Sequence, residues 1–178
     1  WRFRKPVRLV GPGIQQLELD LEVLAHGAPS FADLRVVTAG QQLPFVLERA
    51  PSPRSFPITT TKADDPKQPK TSVWKFTLPQ KPLPLTRLTC ETSVPLFRRE
   101  ATLFEERADA RGEKHRVALG RASWVRSPEQ KASKLNLNLD HYPTTDRLWL
   151  EVENGDNPPL ELTAFTVWHA TARVFFRA

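Results

Sequence analysis

Leu148-Trp-Leu-Glu-Val-Glu-Asn-Gly-Asp-Asn-Pro-Pro-Leu-Glu-Leu162 is the stretch that decides the fold class. Two alternating apolar/polar runs flank a turn built from Asn154, Gly155, Asp156, Asn157, Pro158 and Pro159, which reads as a β-hairpin. Just upstream, Leu135-Asn-Leu-Asn-Leu-Asp140 alternates strictly. Leu135, Leu137 and Leu139 therefore share one face of a strand, and Asn136, Asn138 and Asp140 the other. The C-terminal half reads as a β-sandwich. Over the whole chain 17 prolines stand against 7 glycines, a density hostile to long helices and suited to strands joined by ordered loops. The expected class is all-β.

Working toward the N-terminus, Val73-Trp-Lys-Phe-Thr-Leu78 is strand-like, and Pro79-Gln-Lys-Pro-Leu-Pro84 reads as a stiff connection between two units, 1–79 and 80–178. In the first unit, Pro6 to Val10 reads as a strand, Gly11 to Gly13 as a turn, and Ile14 to Leu24 as strand or mixed. Phe31 to Val37, Thr38-Ala-Gly-Gln41 and Gln42 to Leu47 form a hairpin pattern whose turn carries Gly40. Ala50 to Lys70, rich in Pro, Ser, Thr, Lys and Asp, reads as an exposed loop around a short strand at Phe56 to Thr61. In the second unit, Leu85 to Thr92 and Leu96 to Glu106 are candidate strands, and Asp109 to Gly112 is a turn before Lys114 to Gly120. Glu100 to Ala110 has helical propensity, but its hairpin context favours a strand.

With 178 residues and 39% apolar content, the chain is long enough to bury a core. It contains no run of about eighteen apolar residues, so no membrane span is expected within it. Its start at Trp1 and lack of any Met point to a trimmed mature protein or a fragment. The net charge of +6 divides into 11 Lys/Arg against 7 Asp/Glu before residue 80 and 15 against 13 after it. Both halves mix the signs, and the basic runs Arg2-Phe-Arg-Lys5 and Arg98-Arg99 are short, so a nucleic-acid partner is not expected.

Cys90 is the single cysteine, so no internal disulfide exists, and its β-like surroundings Leu88-Thr-Cys-Glu-Thr92 favour a buried small hydrophobe over a nucleophile. The sequence holds no CxxC, HExxH or Gly-rich phosphate loop, and Gly11-Pro-Gly13 lacks the N–H groups of a phosphate cradle. Glu105-Glu106 and Asp64-Asp65 are adjacent carboxylates whose side chains point to opposite faces of a strand, which is not a glycosidase arrangement.

Phe31-Ala-Asp-Leu-Arg-Val-Val-Thr-Ala-Gly-Gln-Gln-Leu-Pro-Phe45 resembles the opening signature of a bacterial envelope family known as domain of unknown function 3999. Pro82 to Leu88, the Phe97-Arg-Arg99 strand and Leu148 to Leu162 resemble further segments of that family in the same order. The resemblance implies an exported protein of Gram-negative bacteria, facing the periplasm or the extracellular side and membrane-anchored in full length. It also implies that 80–178 is a galactose-binding-like jelly roll of the discoidin and carbohydrate-binding-module type, making the chain two β-sandwich units. Gly112 to Leu119 departs from the family in lacking a tryptophan.

Such a jelly roll implies ligands held on end loops or on a flat sheet face, by aromatic rings and a few polar groups. Trp149 shares a strand face with Glu151 and Glu153, which either leaves its indole exposed or requires a neighbouring element to cover it. Trp124, followed by Val125-Arg-Ser-Pro128, and Tyr142, following His141, are loop candidates for further platforms, with core packing as the alternative. Arg98 is the candidate polar contact, although Arg98 and Arg99 are also placed to pair with Glu100, Glu105 or Glu106. Trp168 and His169 end an apolar run and read as core. Asp156 and Asn157 have the oxygens for a structural calcium, while Asx and Gly residues are also what a tight turn needs.

Three function classes follow. The leading one is a non-catalytic envelope module binding a glycan or another envelope component. The second is a protein-protein module using the Trp149 surface or a free strand edge, and the third an enzyme whose site would unite His115 or His141 with a carboxylate.

Overall fold

The computed structural model describes residues 2–127, 129 and 134–178. Trp1, and Pro128 of the loop expected after Trp124, lie outside the described residues. In chain order the strands are β1 (Ile14–Glu18), β2 (Val36–Thr38), β3 (Gln41–Leu43), β4 (Phe45–Pro57), β5 (Thr60–Lys62), β6 (Thr71–Thr77), β7 (Leu85–Glu91), β8 (Phe97–Ala108), β9 (Lys114–Arg126), β10 (Lys134–Asn138), β11 (Arg147–Glu153) and β12 (Thr163–Arg177). The helix α1 (Leu21–His26) and a 3-10 turn at Pro29–Phe31 complete the set. The protein is all-β, and the pairs β1–β12, β7–β10, β6–β11, β8–β11, β7–β12, β2–β3, β5–β6 and β8–β9 are antiparallel. No helix there is long and apolar enough to cross a membrane.

Two compact units emerge, one of residues 1–54 with 170–178 and one of residues 55–169. In the first, β1 pairs with residues 173–177 of β12. The run Ile14 to Leu24 splits into β1 and α1, because the Asp20 carboxylate accepts a hydrogen bond from Val23 N at 3.1 Å and caps the helix. β2 and β3 form the hairpin expected around Gly40, with Ala39 and Gly40 at φ 46° and 80° closing a two-residue turn. Pro6 to Val10 is not a strand. Its backbone has no ladder partner, and Val10 is fully exposed.

In the second unit one sheet runs β5-β6-β11-β8-β9, and in the other β7 lies between β10 and residues 163–169 of β12. From β6 to β12 the chain alternates between these two sheets of a sandwich, except for the β8–β9 pair, which stays in one. Phe76, Leu103, Leu148, Leu150 and Val152 from the first sheet meet Leu88, Leu137 and Val167 from the second in a core where each is at most 3% exposed. Phe165 bridges the layers, its ring edge-on to Phe76 at 5.5 Å. Leu135 and Leu137 are buried while Asn136 and Asn138 are exposed, as the alternation requires.

Three expectations are corrected here. The boundary expected at residue 80 falls inside the second unit, because β6 on one side of it pairs along its length with β11 on the other. Pro79 to Pro84 carries the chain from one sheet to the other with Leu83 buried at 1% exposure, so its stiffness marks a crossover between layers. Leu148 to Leu162 is not a hairpin. β11 pairs with β6 and β8, whereas the chain beyond Pro158-Pro159, which lack ladder donors, crosses to the other sheet with Leu160 and Leu162 buried. Lastly, the expected loop from Ala50 to Lys70 is strand as far as Pro57 and again in β5.

β9 extends well past Gly120, and it contains a bulge. Phe104 is opposite Ala118 and Leu103 opposite Gly120, so Leu119 is the extra residue. The Leu119 carbonyl accepts from Asp140 N at 2.7 Å and from His141 N at 3.3 Å. At Gly120 a Cβ would stand 2.1 Å from the Asn138 carbonyl oxygen, a close approach that requires glycine.

Candidate functional site: the outer face of the five-stranded sheet

Alternation on β8, β9 and β11 sends one set of side chains into the core and the other to the outer face of the sheet. Trp149 and Phe104 are register partners on β11 and β8, and their rings stack with centroids 5.8 Å apart and planes 9° from parallel. The Arg116 guanidinium lies over the Phe104 ring at 4.4 Å, and its Nη1 donates to Glu151 Oε2 at 3.0 Å. Beside this group runs a groove of about 470 Å³ lined by Glu100, Thr102, Phe104, Arg116, Arg121 and Glu151, among others. Ser123 donates to Glu100 Oε1 at 2.7 Å across the β8/β9 pair. The groove thus combines an aromatic edge with carboxylates, guanidinium groups and a hydroxyl, a set able to accept and donate hydrogen bonds along an extended ligand.

The residues singled out in the sequence separate clearly. Trp149 is half-buried at the outer face, covered in part by the stacked Phe104 ring. Arg98 stands on the same face, exposed, with Nε 3.9 Å from Glu100 Oε1, an exposed pair of small energetic weight. Trp124 is not in a loop and not a platform: it lies on β9 with 4% exposure, its indole N–H donating to the Asn136 carbonyl at 2.7 Å. Tyr142 is in a loop and 58% exposed, away from the sheet groove. Asp156 and Asn157 sit in the turn after β11 with Gly155 at φ 60°. There the Lys70 ammonium holds Asp156 Oδ1 at 2.6 Å, and Asn157 N donates to Asn154 O at 3.2 Å. Those contacts hold the turn.

Other groups are committed to structure. Cys90 is fully buried, and burial pushes its thiol up to about 12, far from a thiolate at neutral pH. Arg99 points inward, unlike Arg98, and donates from Nη2 to the Pro158 carbonyl at 3.2 Å instead of pairing with a glutamate. His169 is buried beside Phe56, with ring centroids 5.9 Å apart.

Glu105, read from the sequence as a pairing partner for Arg98 or Arg99, pairs with Arg107 instead. Its side chain has no exposed surface and accepts from Thr144 N, Thr145 N, both threonine hydroxyls and Arg107 Nε at 2.6–3.1 Å. Burial alone would raise its pKa, but the donations from Thr145, Arg107 and Thr144 outweigh it and hold the carboxyl below its ordinary value. A carboxylate with its acceptor capacity filled in this way is a lock on the loop before β11, not a general acid or base.

No known family's sequence model matches the chain, and no curated protein matches it. Among solved structures it is similar to the CBM22-1 xylan-binding domain from Paenibacillus barcinonensis Xyn10C, at 11% identity over 74% of this chain and 86% of that one, with a TM-score of 0.26. A likeness that slight carries no argument.

Proposed function

We propose that residues 55–169 form a non-catalytic glycan-binding module whose ligand lies along the outer face of the five-stranded sheet. The observation that carries this reading is the Trp149–Phe104 stack at the edge of a groove lined with paired carboxylates and guanidinium groups. Sugar C–H faces pack on such rings, and their hydroxyls bridge such pairs. A non-catalytic role is supported by the commitment of Cys90 and Glu105 to packing and hydrogen bonding. The segments Phe31 to Phe45 and Leu148 to Leu162, with their resemblance to the envelope family, support an extracytoplasmic setting in an anchored bacterial protein. The protein-protein alternative needs a strand edge free of lysine, and β9, at the margin of the sheet, carries Lys114, Arg116 and Arg121, which oppose edge-to-edge pairing.

A glycan array with the intact chain beside Trp149→Ala and Arg116→Ala tests the reading. Specific binding that weakens about tenfold or more in the folded Trp149→Ala protein is the expected result. An array without signal, or binding indifferent to both substitutions, overturns the sheet-face site.

A further inference from the structure

Large aliphatic side chains stand in water at one end of the β1–β12 pair. Val10 is 100% exposed, Ile14 82% and Leu9 53%. Arg177 faces Ile14 across the ladder and Arg8 adjoins Leu9, so cations stand beside the apolar groups. We infer that this tip docks the first unit on an anionic lipid bilayer, with Leu9, Val10 and Ile14 entering the headgroup layer and Arg8 and Arg177 meeting its phosphates. The tip is built entirely within residues 1–54 and 170–178, and it shares no residue with the glycan-binding face.

Hydrogen bonds hold the tip in this form. Gly13 N donates to Ala178 O at 2.9 Å and Ala178 N to Gly13 O at 3.0 Å, which carries the ladder one residue past Ile14. The Gln15 amide turns back and donates through Nε2 to Gly11 O at 2.7 Å, closing the chain from Gly11 to Gly13 around a φ of 111° that glycine tolerates. On the other side, the Lys5 ammonium is held by the Asp20 and Glu22 carboxylates at the start of α1. Arg8 to Val10 are thus tethered at both ends, and their exposed side chains need little ordering to bind.

Charge selects the partner. Residues 2–17 contain the cations Arg2, Arg4, Lys5 and Arg8 and no acid, and residues 163–178 also lack an acid. Glu18, the first acid along β1, is taken by Arg54 at 2.8 Å and Arg173 at 3.5 Å. Arg8 and Arg177 enter no ion pair among the described residues. A soluble polyanion would satisfy these arginines and leave Leu9, Val10 and Ile14 in water, while an uncharged protein patch would give the arginines no counter-charge. A second copy of the tip would bring like charges together. An anionic bilayer offers phosphates to the guanidinium groups and, just beneath them, acyl chains to the aliphatic side chains. The contact is with the surface of the bilayer and is not a span of it.

The test is flotation of the full chain with vesicles of phosphatidylcholine alone and of phosphatidylcholine and phosphatidylglycerol in equal parts, at low and at high salt. Val10→Asp, Arg8→Gln and Arg111→Gln are run in parallel, all at exposed positions, with the fold of each checked by its melting curve. Flotation with the phosphatidylglycerol vesicles only, weakened by salt, is the expected result. Arg8→Gln weakens it about fivefold and Val10→Asp about tenfold or more. Arg111→Gln, which removes the same charge from a turn in the second unit, leaves it unchanged. Equal flotation with the two vesicle types, or flotation with neither, overturns the docking tip. So does indifference to both Arg8→Gln and Val10→Asp. A loss in Arg111→Gln as large as that in Arg8→Gln also overturns it, by assigning the attraction to net charge alone.

Discussion

Trp124 and Trp149 look alike in sequence and occupy opposite environments in the same sheet. Trp149 lies on the outer face against Phe104, half-exposed, with a guanidinium on the far side of its partner ring. Trp124 is turned into the core between β9 and β10, its single donor satisfied by the Asn136 carbonyl. The difference comes from Leu119. Residues 116, 118, 120, 122 and 124 of an unbroken strand would share one face, which would set Trp124 beside Arg116 over the groove. The bulge adds one residue, reverses the parity beyond it, and buries Gly120 and Trp124 instead while Arg121 and Ser123 turn outward. A single inserted residue thus removes Trp124 from the face on which Trp149 stands.

The sharpest way to break this comparison is to truncate both rings. Trp124→Ala removes a buried indole and leaves the Asn136 carbonyl without its donor, and is expected to cost about 3–5 kcal/mol in chemical denaturation. Trp149→Ala is expected to cost about 1 kcal/mol, the weight of one aromatic pair and part of a ring's burial. Equal losses would mean that the two environments do not differ as described.

Glu105 and Glu151 offer the same contrast between carboxylates. Glu105→Gln, which removes the charge while keeping the shape, is expected to cost about 2 kcal/mol, because its five donors lose an ionised acceptor. Its folded pKa is depressed from 4.5, so the stability it supplies is complete above that value and is lost as pH falls through the lower folded value. A melting series from pH 6 downward should therefore show a steeper loss below about pH 4.5 in the parent chain than in Glu105→Gln. Glu18, depressed by Arg54, stays in both proteins and contributes the same slope to each. The smallest effect belongs to Glu151→Ala, whose surface pair with Arg116 is worth about 1 kcal/mol or less. A melting temperature lowered as far as in Glu105→Gln would show that the groove is structural rather than poised for a ligand.

Much of the second unit is legible in the sequence. Leu135 and Leu137 alternate with Asn136 and Asn138 because a strand between core and water must do so, and β10 follows that reading. The Val73 to Leu78 run and the outward placement of Trp149, Glu151 and Glu153 follow from the same rule. The hairpin assigned to Leu148–Leu162 failed for a physical reason: Leu160 and Leu162 are buried from a crossing segment that lies outside any strand, and alternation alone does not separate such a segment from a ladder strand. Arg99 at 7% exposure beside the exposed Arg98 shows the same limit, since both arginines read alike until the Pro158 carbonyl arrives from a distant loop.

Local chemistry, carried by neighbours in the chain, determined the all-β class, the turns at Gly40 and Gly155, and the strand phase of β10 and β11. The sandwich pairing, the bulge at Leu119 and the saturation of Glu105 depend on contacts between residues far apart in the chain. Glu105 and Thr145, 40 positions apart, are one example, and Trp124 and Asn136 are another. Such contacts leave no periodic trace, because a buried carboxylate or a carbonyl acceptor becomes favourable only once packing has brought its donors within hydrogen-bond reach.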